Sequence, residues 1–172
     1  MSLHHLLRLA GAVLAAVTAI LAMHANWTEW RSWRAADAGS RALADLRLGL
    51  VAAERVSRER GPTNARLGAS DGPADPASVT ALAQAREATD LALAQLRTAV
   101  AGLAPSARTA ALPYVVDEAA QALVRARTVA DEVIARPHAL RTPDAIRDSV
   151  YGLVDVVPRL APATSALIEA VR

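Results

Sequence analysis

The sequence has no cysteine, so disulfides, thiolate metal sites and cysteine nucleophiles are excluded. It also has no phenylalanine, and its aromatic residues are three Trp and two Tyr. Apolar residues that are mostly Ala, Leu and Val, with so few aromatics, suit helix packing on helix much better than a sheet core, which predicts an all-α chain. Lysine is absent as well, and all 19 basic residues are Arg. They are interspersed with 17 acidic residues for a net charge of +2, so no basic patch forms and nucleic acid is not expected as a partner. The calculated isoelectric point of 9.9 reflects the permanent ionisation of Arg.

Histidine is scarce too. Three of the four, His4, His5 and His24, lie near the N-terminus, and His138 sits beside Pro137 in a loop. No HxxxH or ExxH spacing for a metal occurs, and no glycine-rich phosphate loop follows a strand. Adjacent carboxylates such as Asp117/Glu118 and Asp131/Glu132 read as solvated helix faces. No catalytic residue, metal ligand or cofactor is expected, and the chain does not read as an enzyme.

What is present begins with an apolar run. Leu9 to Thr28 is 20 residues without a formal charge, long enough at ~1.5 Å per residue to cross a hydrocarbon core of ~30 Å. Arg8 and the α-amino group precede it, and Trp27, Trp30 and Trp33 follow it as an interfacial belt would. This predicts residues 1–8 in the cytoplasm, 9–28 as a transmembrane helix and 29–172 as an extracytoplasmic domain. The competing reading is a cleaved signal peptide, with the 15 residues Leu9 to Met23 as its apolar region. A cut after Ala25 would place Met23 where a small residue is wanted.

Breaks at Gly68–Pro76, near Ala104–Ser106 and at Pro137–Pro143 divide the remainder into four stretches, about 29–67, 77–103, 106–136 and 142–172. Asp75-Pro76 and Thr142-Pro143 each pair a capping residue with proline at the first helical position. Apolar positions repeat in steps of three and four: Leu43, Leu46, Leu50 and Ala53 in the first stretch; Leu82, Leu93, Leu96 and Val100 in the second. Leu112, Val116, Ala119, Leu123, Ala126, Ala130 and Val133 continue the pattern less regularly in the third, and Ile146, Val150, Leu153, Val157, Leu160, Thr164, Leu167 and Val171 in the fourth. Short loops then give an antiparallel four-helix bundle, continuous with the membrane helix. Pro113, Pro158 and Pro162 fall inside expected helices, with a kink expected in the fourth. The chain stops at Arg172 where a second membrane helix is expected, as one module of a longer protein would.

The first stripe turns polar beyond Ala53, continuing as Ser57, Arg60 and Asn64 before Leu67. Across the turn, Arg86 lies on the second stripe at a similar height. Two arginines facing a bundle interior need an anion. It could be internal, from Glu54, Glu59, Glu87 or Asp90, or it could be a ligand bearing carboxylate-like oxygens, which the guanidinium fork suits. Arg147 and Tyr151, four apart near the same level, are candidates to complete such a site. Gly61 and Pro62 are expected to interrupt the helix and widen a local pocket.

The segment Ala53 to Leu67, AERVSRERGPTNARL, resembles the helix-one motif of nitrate- and nitrite-sensing-type helical-bundle input domains of bacterial chemoreceptors, sensor kinases and diguanylate cyclases. The triplet at its centre is Glu59, Arg60 and Gly61. The resemblance implies an extracytoplasmic ligand-sensing module in the periplasm, anchored in the inner membrane and working as a homodimer. It further implies a small anionic ligand, a second membrane helix and a cytoplasmic output domain. The continuation Pro62-Thr63-Asn64 departs from the most typical members. The alternative is a membrane-tethered bundle that serves structure or protein interaction without a ligand.

Overall fold

Proline and capping residues set the element boundaries. The computed structural model describes residues 3–103 and 109–169, with the side chains of residues 3, 4, 6–10, 12, 13, 15, 38 and 42 outside the described ones. Among the described residues every element is helical: α1 (Leu3–Leu67), α2 (Pro76–Ala101), α3 (Leu112–Ile134), α4 (Pro143–Val154) and α5 (Ala161–Glu169), with 3-10 turns at His138–Leu140 and Val157–Leu160. The two expected caps are present. The Asp75 carboxylate accepts from the amides of Ala77 and Ser78 at 3.2 and 3.0 Å, and the Thr142 hydroxyl accepts from Ala145 N–H at 3.2 Å. Asp75→Ala should cost about 1 kcal/mol, the usual worth of an N-cap, read as a lower denaturation midpoint with unchanged slope.

Three expectations about the helices are corrected. Pro113 is not inside a helix but in the first turn of α3, where its missing N–H costs nothing. The expected start of helix three at residue 106 lies outside the described residues. The fourth stretch is not one kinked helix but α4, a 3-10 turn and α5, because Pro158 and Pro162 each open a new helical segment. Gly61 and Pro62, by contrast, do not interrupt α1, which runs on to Leu67. Proline's ring crowds the Cβ of the preceding residue in helical conformation, and Gly61 has none, so the Gly-Pro pair fits a helix that another residue before proline would strain. Gly61 is exposed, and a Cβ built on it meets nothing within 4 Å, so it faces open space and not a neighbouring segment.

The chain divides into two units, residues 1–41 and 42–172. In the first, α1 exposes Leu14, Val17, Ile20, Leu21 and Met23. Trp27 and Trp30 pack with their rings tilted by 46° and 5.6 Å between centroids, and the Arg34 guanidinium lies 3.6 Å over the Trp30 ring. No helix is long and apolar enough to cross a membrane among the described residues; the expected span at 9–28 includes residues 9, 10, 12, 13 and 15, whose side chains lie outside them.

The second unit is the bundle. Helix α3 is its centre, packing on α2, α4, α5 and the 3-10 turn before α5. All seven stripe residues expected in α3, including Val116, Ala119, Leu123, Ala126 and Ala130, are buried. Gly49 lets α1 approach α5, since a Cβ there would stand 3.2 Å from Thr164 Oγ1. The register of α1 differs from expectation by one residue. Gly49, Ala52, Val56, Glu59 and Thr63 face the core, as does Leu67 of the expected stripe, while Leu43 and Leu50 are 59% and 57% exposed. One residue is a rotation of about 100°, so Ser57, Arg60 and Asn64 turn outward.

Candidate functional site

The rotation of α1 brings Glu59, not Arg60, into the interior. Glu59 is fully buried and accepts two hydrogen bonds from Arg127 of α3, Nε to Oε1 and Nη2 to Oε2, both at 2.7 Å. This planar, two-point pairing is the geometry that makes a guanidinium suitable for a buried carboxylate. Arg127 also donates from Nη1 to Asp90 at 2.7 Å and from Nη2 to the Arg86 carbonyl at 3.2 Å. Arg86 in turn holds Asp131 in a second two-point pair, at 2.9 and 2.7 Å, and its Nε lies 3.7 Å from Glu59 Oε1.

Two cations and three carboxylates thus form one chain across α1, α2 and α3, in the order Asp90, Arg127, Glu59, Arg86, Asp131. The side chains become more exposed outward from Glu59: 13% for Arg127 and 22% for Arg86, about half or more for Asp131 and Asp90. Burial pulls the Arg127 guanidinium pKa down, but its hydrogen bonds to Glu59 and Asp90 and their charges outweigh this, so the net direction is up. Arg127 therefore stays charged. One polar atom is left over: Arg86 Nε is buried with no hydrogen-bond partner, 3.7 Å being too long for one.

Sequence reasoning named Arg86, Glu59 and Asp90 as members of such a cluster but missed Arg127 and Asp131. Arg127 flanks the α3 stripe beside Ala126, where the period offers no special signal. Asp131 and Glu118 are exposed and Asp117 partly so, in keeping with the expected solvated faces, but each also joins two segments: Asp131 pairs with Arg86, Asp117 with Arg97 at 2.9 Å and Glu118 with Arg159 at 3.2 Å. Spacing within one helix cannot show a partner on another.

The remaining candidate ligand residues lie on the outer face. Asn64, Arg147 and Tyr151 do come together, lining with Pro143, Ile146 and Val150 a groove of about 470 Å³ between α1 and α4. Arg147 is shared there between Asp144 at 2.9 Å and Asp148 at 3.0 Å. Arg60 and Ser57 are exposed, Arg60 one turn from Asn64 along the same face. Among the described residues Arg60 has no ion pair or hydrogen bond, and Arg86, committed to Asp131, is not part of this surface. No group of three or more His, Asp or Glu side chains converges as a metal site among the described residues. No family model, no curated protein and no solved structure matches the chain.

Proposed function

We propose that the chain is the extracytoplasmic input module of a membrane-bound bacterial receptor, recognising a small anion or organic acid on the outer face of α1 and α4. Residues 9–28 tether it to the inner membrane, the bundle lies in the periplasm, and it works as a homodimer without catalysis. The tether rests on the uncharged run, the exposed apolar side chains from Leu14 to Met23 and the Trp27, Trp30 and Trp33 belt.

The observation that carries the reading is the different employment of the arginines. Arg86 and Arg127 are occupied by carboxylates of their own chain, whereas Arg60 points outward unpartnered, one turn from the groove that Asn64, Arg147 and Tyr151 line. An incoming anion meets a free guanidinium at Arg60, while at Arg147 it competes with Asp144 and Asp148. A ligand that binds only the folded state raises its stability. The full chain in detergent should therefore gain thermal stability from nitrate, sulfate or succinate relative to chloride, and Arg60→Ala should lose that gain while keeping its basal melting temperature.

The closed ionic chain around Glu59 favours a second reading, a tethered bundle for structure or protein interaction with no small ligand. Equal melting temperatures in every anion, for both wild type and Arg60→Ala, would decide for it.

A further inference from the structure

A cleft of about 530 Å³ opens at the end of the bundle where α1 meets the loop to α2 and α3 stops before the 3-10 turn at His138–Leu140. Its volume lies within the range of about 300–1,000 Å³ in which proteins hold small organic molecules. Arg66, Asp71, Asp75, Arg136 and Arg141 give the lining charges of both signs. Most of that charge is already employed. The Arg141 guanidinium donates to carbonyls at the ends of α1 and α3, and the two Asp75 oxygens accept from Ala77 and Ser78 N–H. Asp71 Oδ1 accepts from His138 N–H at 2.6 Å, which ties the loop after α1 to the turn after α3.

Three groups are left over. Arg66 is partly buried and Arg136 exposed, and neither guanidinium makes a hydrogen bond or ion pair among the described residues. Asp71 Oδ2 accepts no hydrogen bond there either. Opposite charges thus line one cleft without pairing. We infer that the cleft binds a small amino-acid zwitterion, its carboxylate held by Arg66 and Arg136 and its ammonium by Asp71. The site shares no residue with the groove between α1 and α4 and stands independently of the reading proposed for that groove.

A partly buried guanidinium without a counter-ion is unfavourable, which calls for a negative group beside Arg66, and the guanidinium fork suits a carboxylate. An anion with no positive group would lie beside the Asp71 carboxylate, and a cation with no negative group would lie beside two arginines. Like charges repel at such range. A ligand that carries both signs meets each group with its opposite. The helix ends do not oppose it, because their carbonyls, which would repel a carboxylate, already accept from Arg141. The Arg141 bonds and the Asp71–His138 bond also hold the walls in place, so the cleft is formed before the ligand arrives and little has to be ordered on binding.

The screen is run on the full chain in detergent micelles carrying Arg60→Ala, which removes the outer-face site, so that the two readings fail separately. Melted with each of the twenty protein amino acids singly, it should gain at least about 3 °C with one or more of them, since only the folded state has the cleft. The same acid without its amino group should give no gain. Asp71→Asn keeps an oxygen for His138 N–H and removes the charge, and Arg66→Met keeps the stem and removes the fork. Each should raise the apparent Kd for that amino acid roughly tenfold or more, as loss of one hydrogen bond to a charged group does. No stabilisation by any amino acid would overturn the inference. So would equal stabilisation by the amine-free acid, which would make the cleft a plain anion site, or an unchanged Kd in either variant.

Discussion

Arg127→Met is expected to destabilise the bundle by about 3–5 kcal/mol, the cost of leaving a buried charge without its partner. Glu59 would keep its place at zero exposure, and the nearest remaining cation atom, Arg86 Nε, stands at 3.7 Å while the rest of that guanidinium is held by Asp131. The wild-type pair itself need not be strongly stabilising, because desolvating two charges offsets most of their attraction. The double variant Glu59→Met/Arg127→Met should therefore recover most of the loss, giving a large coupling energy in a double-mutant cycle. Urea unfolding of the wild type, both single variants and the double decides the matter. Single-variant costs below about 1 kcal/mol, or a double variant equal to their sum, would show that the ionic chain is not coupled as described. The effect should not fade at mildly alkaline pH. The folded pKa of Arg127 is raised, so its contribution is complete below the unfolded value and is lost only as pH climbs through the higher folded one.

The helical class, the caps at Asp75 and Thr142 and the α3 stripe were legible because each depends on neighbours in sequence. The face of α1 was not. Its leucines at 43, 46 and 50 define a better apolar stripe than Gly49, Ala52 and Val56, yet the latter are inside. Small residues let helix backbones approach closely, and the contact of Gly49 with Thr164 and Leu167 depends on that. Patterning by hydrophobicity ranks Leu above Gly and so selects the wrong face. The error carried Arg60, Ser57 and Asn64 inward and Glu59 outward, although the pairing of a buried carboxylate with Arg was anticipated in kind. The groove residues Asn64, Arg147 and Tyr151 were placed together by height along the bundle, which survives a rotation of α1 better than facing does.

Arg141→Ala should be the other large loss, about 2–3 kcal/mol, from a residue whose neighbours in sequence give no hint of its work. The Arg141 side chain donates Nη1 to the carbonyls of Arg66, Leu67 and Ala69 at 3.2, 3.0 and 2.8 Å, Nη2 to Ile134 at 3.0 Å and Nε to Arg136 at 2.9 Å. These are the ends of α1 and α3, where the last carbonyls have no donor within their own helix and the helix dipole favours a cation. Alanine would return the more exposed carbonyls to water, which limits the cost, but would release the two helix ends from each other. Lysine should restore less than half, since a compact ammonium cannot reach carbonyls on both sides as the guanidinium does. Hydrogen exchange should then quicken in the last turns of α1 and α3 while the caps of α2 and α4 stay protected. A loss within about 0.5 kcal/mol, or full rescue by Lys, would reassign Arg141 to the surface class of substitutions. Together with Glu59–Arg127, the clamp fixes α1 against α3 at two heights, and a helix held at two heights cannot roll. The outward direction of Arg60, set by the close packing of Gly49, Ala52 and Val56, is then held by two arginines on other segments, so Arg141→Ala should weaken any anion response at Arg60 without touching that face.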